Sequence, residues 1–148
     1  MHRAHSWKQI GNVSLWRYAE NERNYPGWHL TADAAGCDSF IVLLDALAAD
    51  DIPAFRAVEI TPPSKAQLSV PNNKRGSAAW RSPSKLRLTF SSDPAEWSFP
   101  PDLEPAVLAI GSDWVAPLRE GISGIPHGHG DYSIGSAGNG SSRLWFWW

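Results

Sequence analysis

The chain ends in RLWFWW, and this stretch constrains the fold more than any other. Side chains of an extended strand alternate between two faces. One face would receive Leu144, Phe146 and Trp148, and the other would receive Trp145 and Trp147. Both faces are therefore apolar, which is typical of a strand that is covered on both sides. Left exposed, such a segment would be prone to aggregate. The tail thus predicts a central strand inside a layered structure.

A partner strand for the tail lies shortly before it. DYSIG (131–135) has the pattern of a short strand, and SAGNGSS (136–142) supplies turn residues between it and the tail. This order predicts a C-terminal hairpin in which the tail is the buried strand. Tryptophan is also enriched at interface hot spots, so a second interpretation is that Trp145 or Trp147 lines a groove for a ligand or partner. The two interpretations are compatible, because each face of the strand can serve one of them.

The clearest helical pattern runs from residue 34 to residue 49. Asp33 precedes it and is a favourable N-cap residue. Gly36 falls in the first turn, where glycine costs little, and Pro53 closes the segment. Apolar side chains recur at three- and four-residue steps and form one continuous face. They are Cys37, Phe40, Ile41, Leu44, Leu47 and Ala48.

The rest of the chain is divided into short elements by 12 prolines and 12 glycines. Strands are predicted at 13–19, 28–32, 54–60 and 85–90. QLSV (67–70) is a possible short strand, and AVLAIG (106–111) is either a strand or a short helix. A smaller helix, capped by Ser112, is predicted after it. The first two strands are close enough to form an N-terminal hairpin. This order predicts an α+β fold in one domain spanning residues 1–148. We expect a mostly antiparallel sheet, one main helix at about 34–49, and a smaller second helix packed on it.

Length and cysteine content exclude several classes of protein. A chain of 148 residues is the size of one domain and buries about 70% of its unfolded surface. Cys37 is the only cysteine, so an intrachain disulfide and a multi-cysteine zinc site are excluded. The longest apolar runs are five residues, whereas a bilayer span needs about 20. The N-terminus also lacks the apolar core of a secretory signal. We expect a cytoplasmic protein that does not bind membranes.

Charge is unevenly distributed, although the net charge is only −2. Residues 60–92 contain no acid and carry +6, whereas the segments before and after carry −3 and −5. Basic residues around an aromatic ring suit an acidic protein partner, because charge speeds association. They also suit single-stranded nucleic acid, although the net charge argues against a dedicated nucleic-acid binder. A third interpretation is a solvated basic loop neutralised by the protein's own acids. The candidate partner-binding residues are Lys74, Arg75, Trp80, Arg81, Lys85 and Arg87.

One segment, IPHGHGDYSIG (125–135), suggests a metal site. His127 and His129 are two residues apart and would share one face of a strand, and Asp131 could add a carboxylate. Three such ligands plus water is the composition of a catalytic zinc site. The glycines at 128 and 130 argue against preorganised ligands. The alternative is that they permit an unusual backbone path into the hairpin, with both histidines at the surface.

Sequence signatures of common catalytic classes are missing: the chain has no GxSxG, HExxH, P-loop or GxGxxG. Cys37 is the one possible thiol nucleophile, since a position near a helix N-terminus can activate a thiol. It also lies on the apolar face of the predicted helix, which favours a buried and inert cysteine. We therefore predict no catalytic residue, and an enzyme is the less favoured interpretation.

These features favour a non-catalytic module that binds another protein. In size and composition the chain resembles the small one-domain proteins with which bacteria neutralise a single partner, such as toxin-immunity proteins. The resemblance implies direct protein–protein contact, with no cofactor, and the basic segment implies a partner that is acidic on its contacting face. One alternative is a small enzyme that uses zinc or another divalent metal at His127, His129 and Asp131. A second is single-stranded nucleic-acid binding through residues 65–87.

Overall fold

The computed structural model describes residues 7–19, 26–49, 55–71, 79–130, 132–135 and 142–148. Within these ranges the chain forms two β-sheets and three α-helices. The elements are β1 (Val13–Tyr18), β2 (Trp28–Ala32), α1 (Ala34–Ala49), β3 (Phe55–Glu59), α2 (Lys65–Ser69), β4 (Trp80–Arg81), β5 (Lys85–Phe90), β6 (Trp97–Ser98), β7 (Ala106–Ile110), α3 (Val115–Gly124), β8 (Tyr132–Ile134) and β9 (Leu144–Phe146). Short 3-10 turns, Ser112–Trp114 and Ile125–His127, flank α3.

The first sheet has the strand order β4-β1-β2-β9-β8. Strands β1 and β2 pair antiparallel, which confirms the predicted N-terminal hairpin. Strand β9 lies between β2, with which it is parallel, and β8, with which it is antiparallel. The tail is therefore a central strand that pairs with the DYSIG segment, as its pattern predicts.

Both faces of β9 are covered. Leu144 and Phe146 are buried in the main core, while Trp147, on the opposite face, is only 2% exposed. The Nε1–H of Trp147 donates to Nδ1 of His29 at 2.9 Å, so this tryptophan belongs to the interior and does not line an open groove. Trp145 is half-buried and donates to the Pro26 carbonyl. Trp148 follows the strand and is exposed.

The second sheet has the order β3-β5-β7-β6. Strand β5 is parallel to β7, while the β3–β5 and β6–β7 pairs are antiparallel. The AVLAIG segment is thus a strand, which decides between the two predicted alternatives. Antiparallel pairs predominate among the described strands, and the α+β class is confirmed. The division into two sheets was not predicted, because local periodicity shows which segments are strands but not which strands pair.

Helix α1 begins and ends where its pattern predicts. The Asp33 carboxylate accepts a hydrogen bond from the Gly36 N–H at 2.7 Å, which confirms the N-cap. The buried face is rotated slightly from the predicted one: Leu43 and Ala46 are buried, whereas Ala48 is exposed. Gly36 has a steric role as well, because an added Cβ would collide with the Asn12 carbonyl.

Two local predictions are wrong. The QLSV segment is not a strand, because Ser64 and Gln67 form a reciprocal capping box that starts α2. Ser112 does not cap the smaller helix; it is the first residue of a 3-10 turn whose N-cap is Gly111, and that position has no side-chain cap. The smaller helix itself, α3, is present and follows directly.

One cluster of buried side chains joins the two sheets, α1 and α3. Leu15, Leu44, Leu88, Leu118 and Phe146 belong to it. A smaller cluster on the other face of the first sheet contains Trp16, Tyr18, Leu68 and Trp147. Across the described ranges, no helix combines the length and apolar composition that a bilayer crossing requires.

Candidate functional site: an arginine pocket beside an edge strand

Strand β4 brings two predicted partner-binding residues to the edge of the first sheet. Trp80 and Arg81 pair with Tyr18 and Arg17 of β1. Within the described part of the chain, β4 has a neighbouring strand on one side only. Trp80 is 37% exposed and Arg81 is also exposed. Because consecutive strand residues point to opposite faces, the indole and the guanidinium lie on the two sides of this edge.

Arg81 lies directly opposite Arg17, so the two side chains share one face of the sheet. Arg17 is only 9% exposed, and its guanidinium carbon lies 5.0 Å from the centroid of the Trp28 ring. This cation–π contact fixes the position of the buried charge. Like charges directly opposite each other in a sheet are destabilising. The pairing therefore brings two basic side chains together on one face of the sheet.

The two arginines open into a pocket of about 300 Å³. Its walls come from β1, from β4 and from the segment that follows β6. No acidic side chain lines it among the described residues. The lining residues are Arg17, Tyr18, Ala19, Arg81, Pro101 and Leu103. A basic floor with two aliphatic walls suits a small anionic group attached to an apolar one.

Tyr18 contributes no negative charge to this pocket. Its hydroxyl donates to the Leu68 carbonyl at 2.7 Å, and the side chain is 2% exposed. Burial raises the pKa of Tyr18 above 10.0, partly offset by a hydrogen bond with Trp16. The phenol is therefore neutral at physiological pH and adds no negative charge to the pocket.

The remaining basic residues of the predicted patch lie elsewhere. Lys85 and Arg87 are on β5, in the second sheet. Lys85 forms a 3.6 Å ion pair with Glu59, and Arg87 lies over the Phe55 ring at 4.2 Å. These two side chains therefore interact with the protein itself. Lys85 pairs with one of the protein's own acids, as the third interpretation of the basic segment expects, whereas Arg87 contacts an aromatic ring. Lys74 and Arg75 lie outside the described residues.

The histidines of the proposed metal site come close to each other but not on a strand. His127 ends the 3-10 turn after α3, and Gly128 follows with a φ of 75°. The expected shared strand face is therefore wrong, because the chain turns here. The ring centroids of His127 and His129 are 6.1 Å apart, and both residues are exposed. The described residues contain no group of three His, Cys, Asp or Glu side chains able to hold a metal; Asp131 lies outside them.

Cys37 is buried in α1, as its position on the apolar face predicts. Burial raises the pKa of its thiol to about 11, and the negative charges of Asp33 and Asp38 add to this effect. Nucleophilic attack requires the thiolate, which is scarce at neutral pH for such a group. The helix N-terminus does not activate this cysteine.

A second concave surface lies on the outer side of α1. It is a groove of about 680 Å³, and the exposed side chains of Ile10 and Val42 contribute to it. Asp38 and Asp45 lie on α1 beside Val42, and Asp45 pairs with Arg119 at 3.2 Å. The seven-residue spacing of the two aspartates is visible in the sequence. The groove is not, because it also needs the N-terminal segment that packs beside the helix.

Sequence reasoning missed Arg17, the buried arginine of the pocket. Its signal was present: alternation in VSLWRY places Arg17 on the same face as Val13 and Leu15, which are core residues. A charged side chain on an apolar face is rare unless it is paired or functional. The pairing of Arg17 with Arg81, 64 residues later in the chain, could not be predicted in the same way.

Comparisons with protein-family models, with curated proteins and with solved structures found no match to this chain.

Proposed function

We propose that the protein is a non-catalytic binding module that holds an acidic protein partner at the edge of its first sheet. The observation that carries this proposal is the arginine pair across β1 and β4: buried Arg17 and exposed Arg81 lie opposite each other on one face of the sheet, and Trp80 exposes its ring on the other face. Arginine and tryptophan are enriched among residues that dominate binding energy. Toxin neutralisation by direct contact, as in immunity proteins, is the form of this function that the size and composition of the chain suggest.

The edge geometry favours a partner that reaches both faces of the strand. Trp80 presents its ring on one face, while the arginine pocket opens on the other. Single-stranded nucleic acid is less well accommodated, because its bases and phosphates need aromatic rings and cations along one continuous surface. Lys85 and Arg87, which would extend such a surface, interact with Glu59 and Phe55.

Affinity capture from an extract of the source cells, followed by native mass spectrometry, tests this function. We expect a stoichiometric protein partner whose capture weakens as salt is raised, because charge contributes to association. Trp80→Ala and Arg81→Gln should each release the partner. Lys85→Gln is the matched control, since it also removes one positive charge from an exposed strand residue.

A partner that both edge variants retain would show that the interface lies elsewhere. Capture of nucleic acid in place of protein, lost in the same two variants, would replace this function with the nucleic-acid alternative. If repeated capture finds neither, the binding function is wrong.

A further inference from the structure

We infer that the groove on the outer side of α1 is a docking site for an amphipathic helix of a partner protein, with a basic side chain next to its apolar face. The groove shares no lining residue with the arginine pocket. This inference goes beyond the proposed function and does not depend on it. Four features of the groove support it: its exposed apolar side chains, its fixed sides, its length along α1 and its charge.

The groove gathers apolar side chains that face water. Ile10 is 68% exposed and Val42 is 57% exposed, the two highest values among the large hydrophobic residues that the structure describes. Both line the groove, together with Trp7, Ala35 and Ala46. Apolar surface that is gathered in one concave place marks an interaction site, whereas single exposed apolar residues do not. A partner that covers this groove therefore buries the most exposed apolar side chains in the described part of the chain.

Hydrogen bonds hold the two sides of the groove together. The Nε1–H of Trp7 donates to the Ser39 carbonyl of α1 at 2.8 Å, and the N–H of Ile10 donates to the Ser39 hydroxyl at 3.0 Å. The Trp7 carbonyl accepts from Nη2 of Arg56 at 3.0 Å. The N-terminal segment is therefore fixed beside α1. A groove that exists before the partner arrives lowers the entropic cost of binding.

The shape of the groove suits a helix. Its residues on α1 run from Ala35 to Ala46, a length of about 16 Å, or roughly three helical turns. Ala35, Ser39 and Ala46 are small, so another backbone can come close to α1 along this line. An amphipathic helix binds such a groove through apolar side chains at three- and four-residue steps.

The α1 side of the groove is acidic. Asp38 and Asp45 lie on it, and α1 contains no basic residue. Arg119 already pairs with Asp45 at 3.2 Å, so the attraction is assigned to Asp38. Within the described ranges, Asp38 takes part in no ion pair. Lys8, on the N-terminal segment, adds a positive charge. The complementary helix therefore carries its lysine or arginine on the α1 side only.

The experiment titrates the full chain with a helical peptide and records the methyl signals of Ile10 and Val42 by NMR. The probe is a blocked peptide of three Leu-Gln-Ala-Leu-Lys-Ala-Ala repeats, which places lysine along one side of a leucine stripe. The matched peptide carries glutamate in place of lysine. We expect the lysine peptide to shift both methyl signals to saturation and to bind more tightly than the glutamate peptide.

Two substitutions in the groove measure the separate contributions, with Ile10 as the reporter. Asp38→Asn should weaken binding of the lysine peptide about threefold, the effect of losing an exposed ion pair. Val42→Gln should weaken it about tenfold, because the buried methyl groups are lost. Val42 is 57% exposed, so this variant keeps its fold.

Two substitutions outside the groove are the matched controls. Phe55→Gln removes an apolar side chain that is 54% exposed, and Asp102→Asn removes an exposed carboxylate. Both variants should bind the lysine peptide as the native protein does. An equal loss in the controls and in the groove variants would show that the peptide binds without regard to the groove, which overturns the inference.

Three other results also overturn it. The first is that neither methyl signal responds, and the second is that the two peptides bind equally. The third is that hexylammonium, an amine with an apolar chain and no helix, binds more tightly than the lysine peptide. Sedimentation adds one more: a dimer of the native protein that Val42→Gln dissociates would show that a second copy of the chain covers the groove.

These outcomes are separable from those of the partner search. Trp80→Ala and Arg81→Gln should leave binding of the lysine peptide unchanged, because neither residue lines the groove. Failure of the peptide to bind removes the helix site and leaves the edge of the first sheet as a binding surface. Saturable binding of the peptide by a protein that captures no acidic partner does the opposite.

Discussion

At the scale of single residues, Asp33 does more than its sequence position predicts. Its carboxylate accepts hydrogen bonds from the N–H of Gly36 in α1 and from the N–H of Asn12 before β1. The bond from Asn12 and then the bond from Gly36 lower the pKa of Asp33 below its ordinary value of 3.8. The ionised form therefore stabilises the folded state at every pH above about 4, and this contribution is lost as pH falls through the lowered pKa.

We predict that Asp33→Ala destabilises the protein by about 1 kcal/mol at pH 7, the usual effect of removing an N-cap. Urea unfolding at a series of pH values measures the free energy of unfolding of both proteins, and their difference should shrink below pH 4 or so. Asp33→Asn is the control, because asparagine keeps a capping oxygen but does not titrate. A difference between native protein and Asp33→Ala that is constant down to pH 2 would contradict the role of the carboxylate.

The hypothesis of a metal site at His127 and His129 can also be tested by changing single side chains. It predicts that zinc raises the melting temperature of the native protein and has no such effect on a His127→Ala, His129→Ala double variant, because an ion that binds the folded protein more tightly than the unfolded chain stabilises the fold. Differential scanning calorimetry with added zinc, and then with a chelator, measures both effects. If neither addition changes the melting temperature of the native protein, the site does not exist.

At the scale of elements, the contact of α3 with β9 depends on Gly121. A Cβ placed at this glycine would lie 2.5 Å from Cζ of Phe146, a residue that is fully buried in β9. In an exposed helix, Gly→Ala stabilises by about 1 kcal/mol; here overpacking should outweigh that gain. We predict that Gly121→Ala lowers the free energy of unfolding by about 1 kcal/mol or more, measured by chemical denaturation.

A double-mutant cycle provides the control. Adding Phe146→Leu to Gly121→Ala frees space at the contact, so the double variant should be less destabilised than the sum of the two single changes. Additive effects, or a Gly121→Ala protein more stable than the native one, would show that Gly121 is not limited by Phe146.

Local pattern was enough to predict the longer elements, but not helix α2 or the two-residue strands β4 and β6. Helix α1 and strand β5 each bury one face that repeats with the period of their backbone, whereas every residue of β1 is buried. The QLSV segment was predicted as a strand from a weak alternation of polar and apolar residues. It is part of a helix, because the side chains of Ser64 and Gln67 form a capping box that starts one. Strand pairing across long distances, which places Arg17 beside Arg81, has no local signal. The candidate site was therefore predicted only in part.

At the scale of the whole molecule, the C-terminal tail joins the two clusters of buried side chains. Phe146 belongs to the main core, and Trp147 belongs to the smaller cluster on the other face of the first sheet. His29, fully buried, stacks between Trp16 and Trp147 with ring centroids 5.6 and 6.1 Å away. Removing the tail would therefore open both faces of the sheet and leave β8 without its partner strand.

We predict that deletion of residues 145–148 abolishes cooperative folding, since loss of each buried large aromatic costs about 3–5 kcal/mol and a domain is stable by only about 5–15 kcal/mol. Circular dichroism and thermal unfolding measure the loss. Deletion of Trp148 alone is the matched control, because this residue is 53% exposed and follows the end of β9; that protein should unfold cooperatively. A truncation lacking residues 145–148 that keeps a cooperative transition would show that the first sheet forms without its central strand, and that the apolar tail serves binding and not the core.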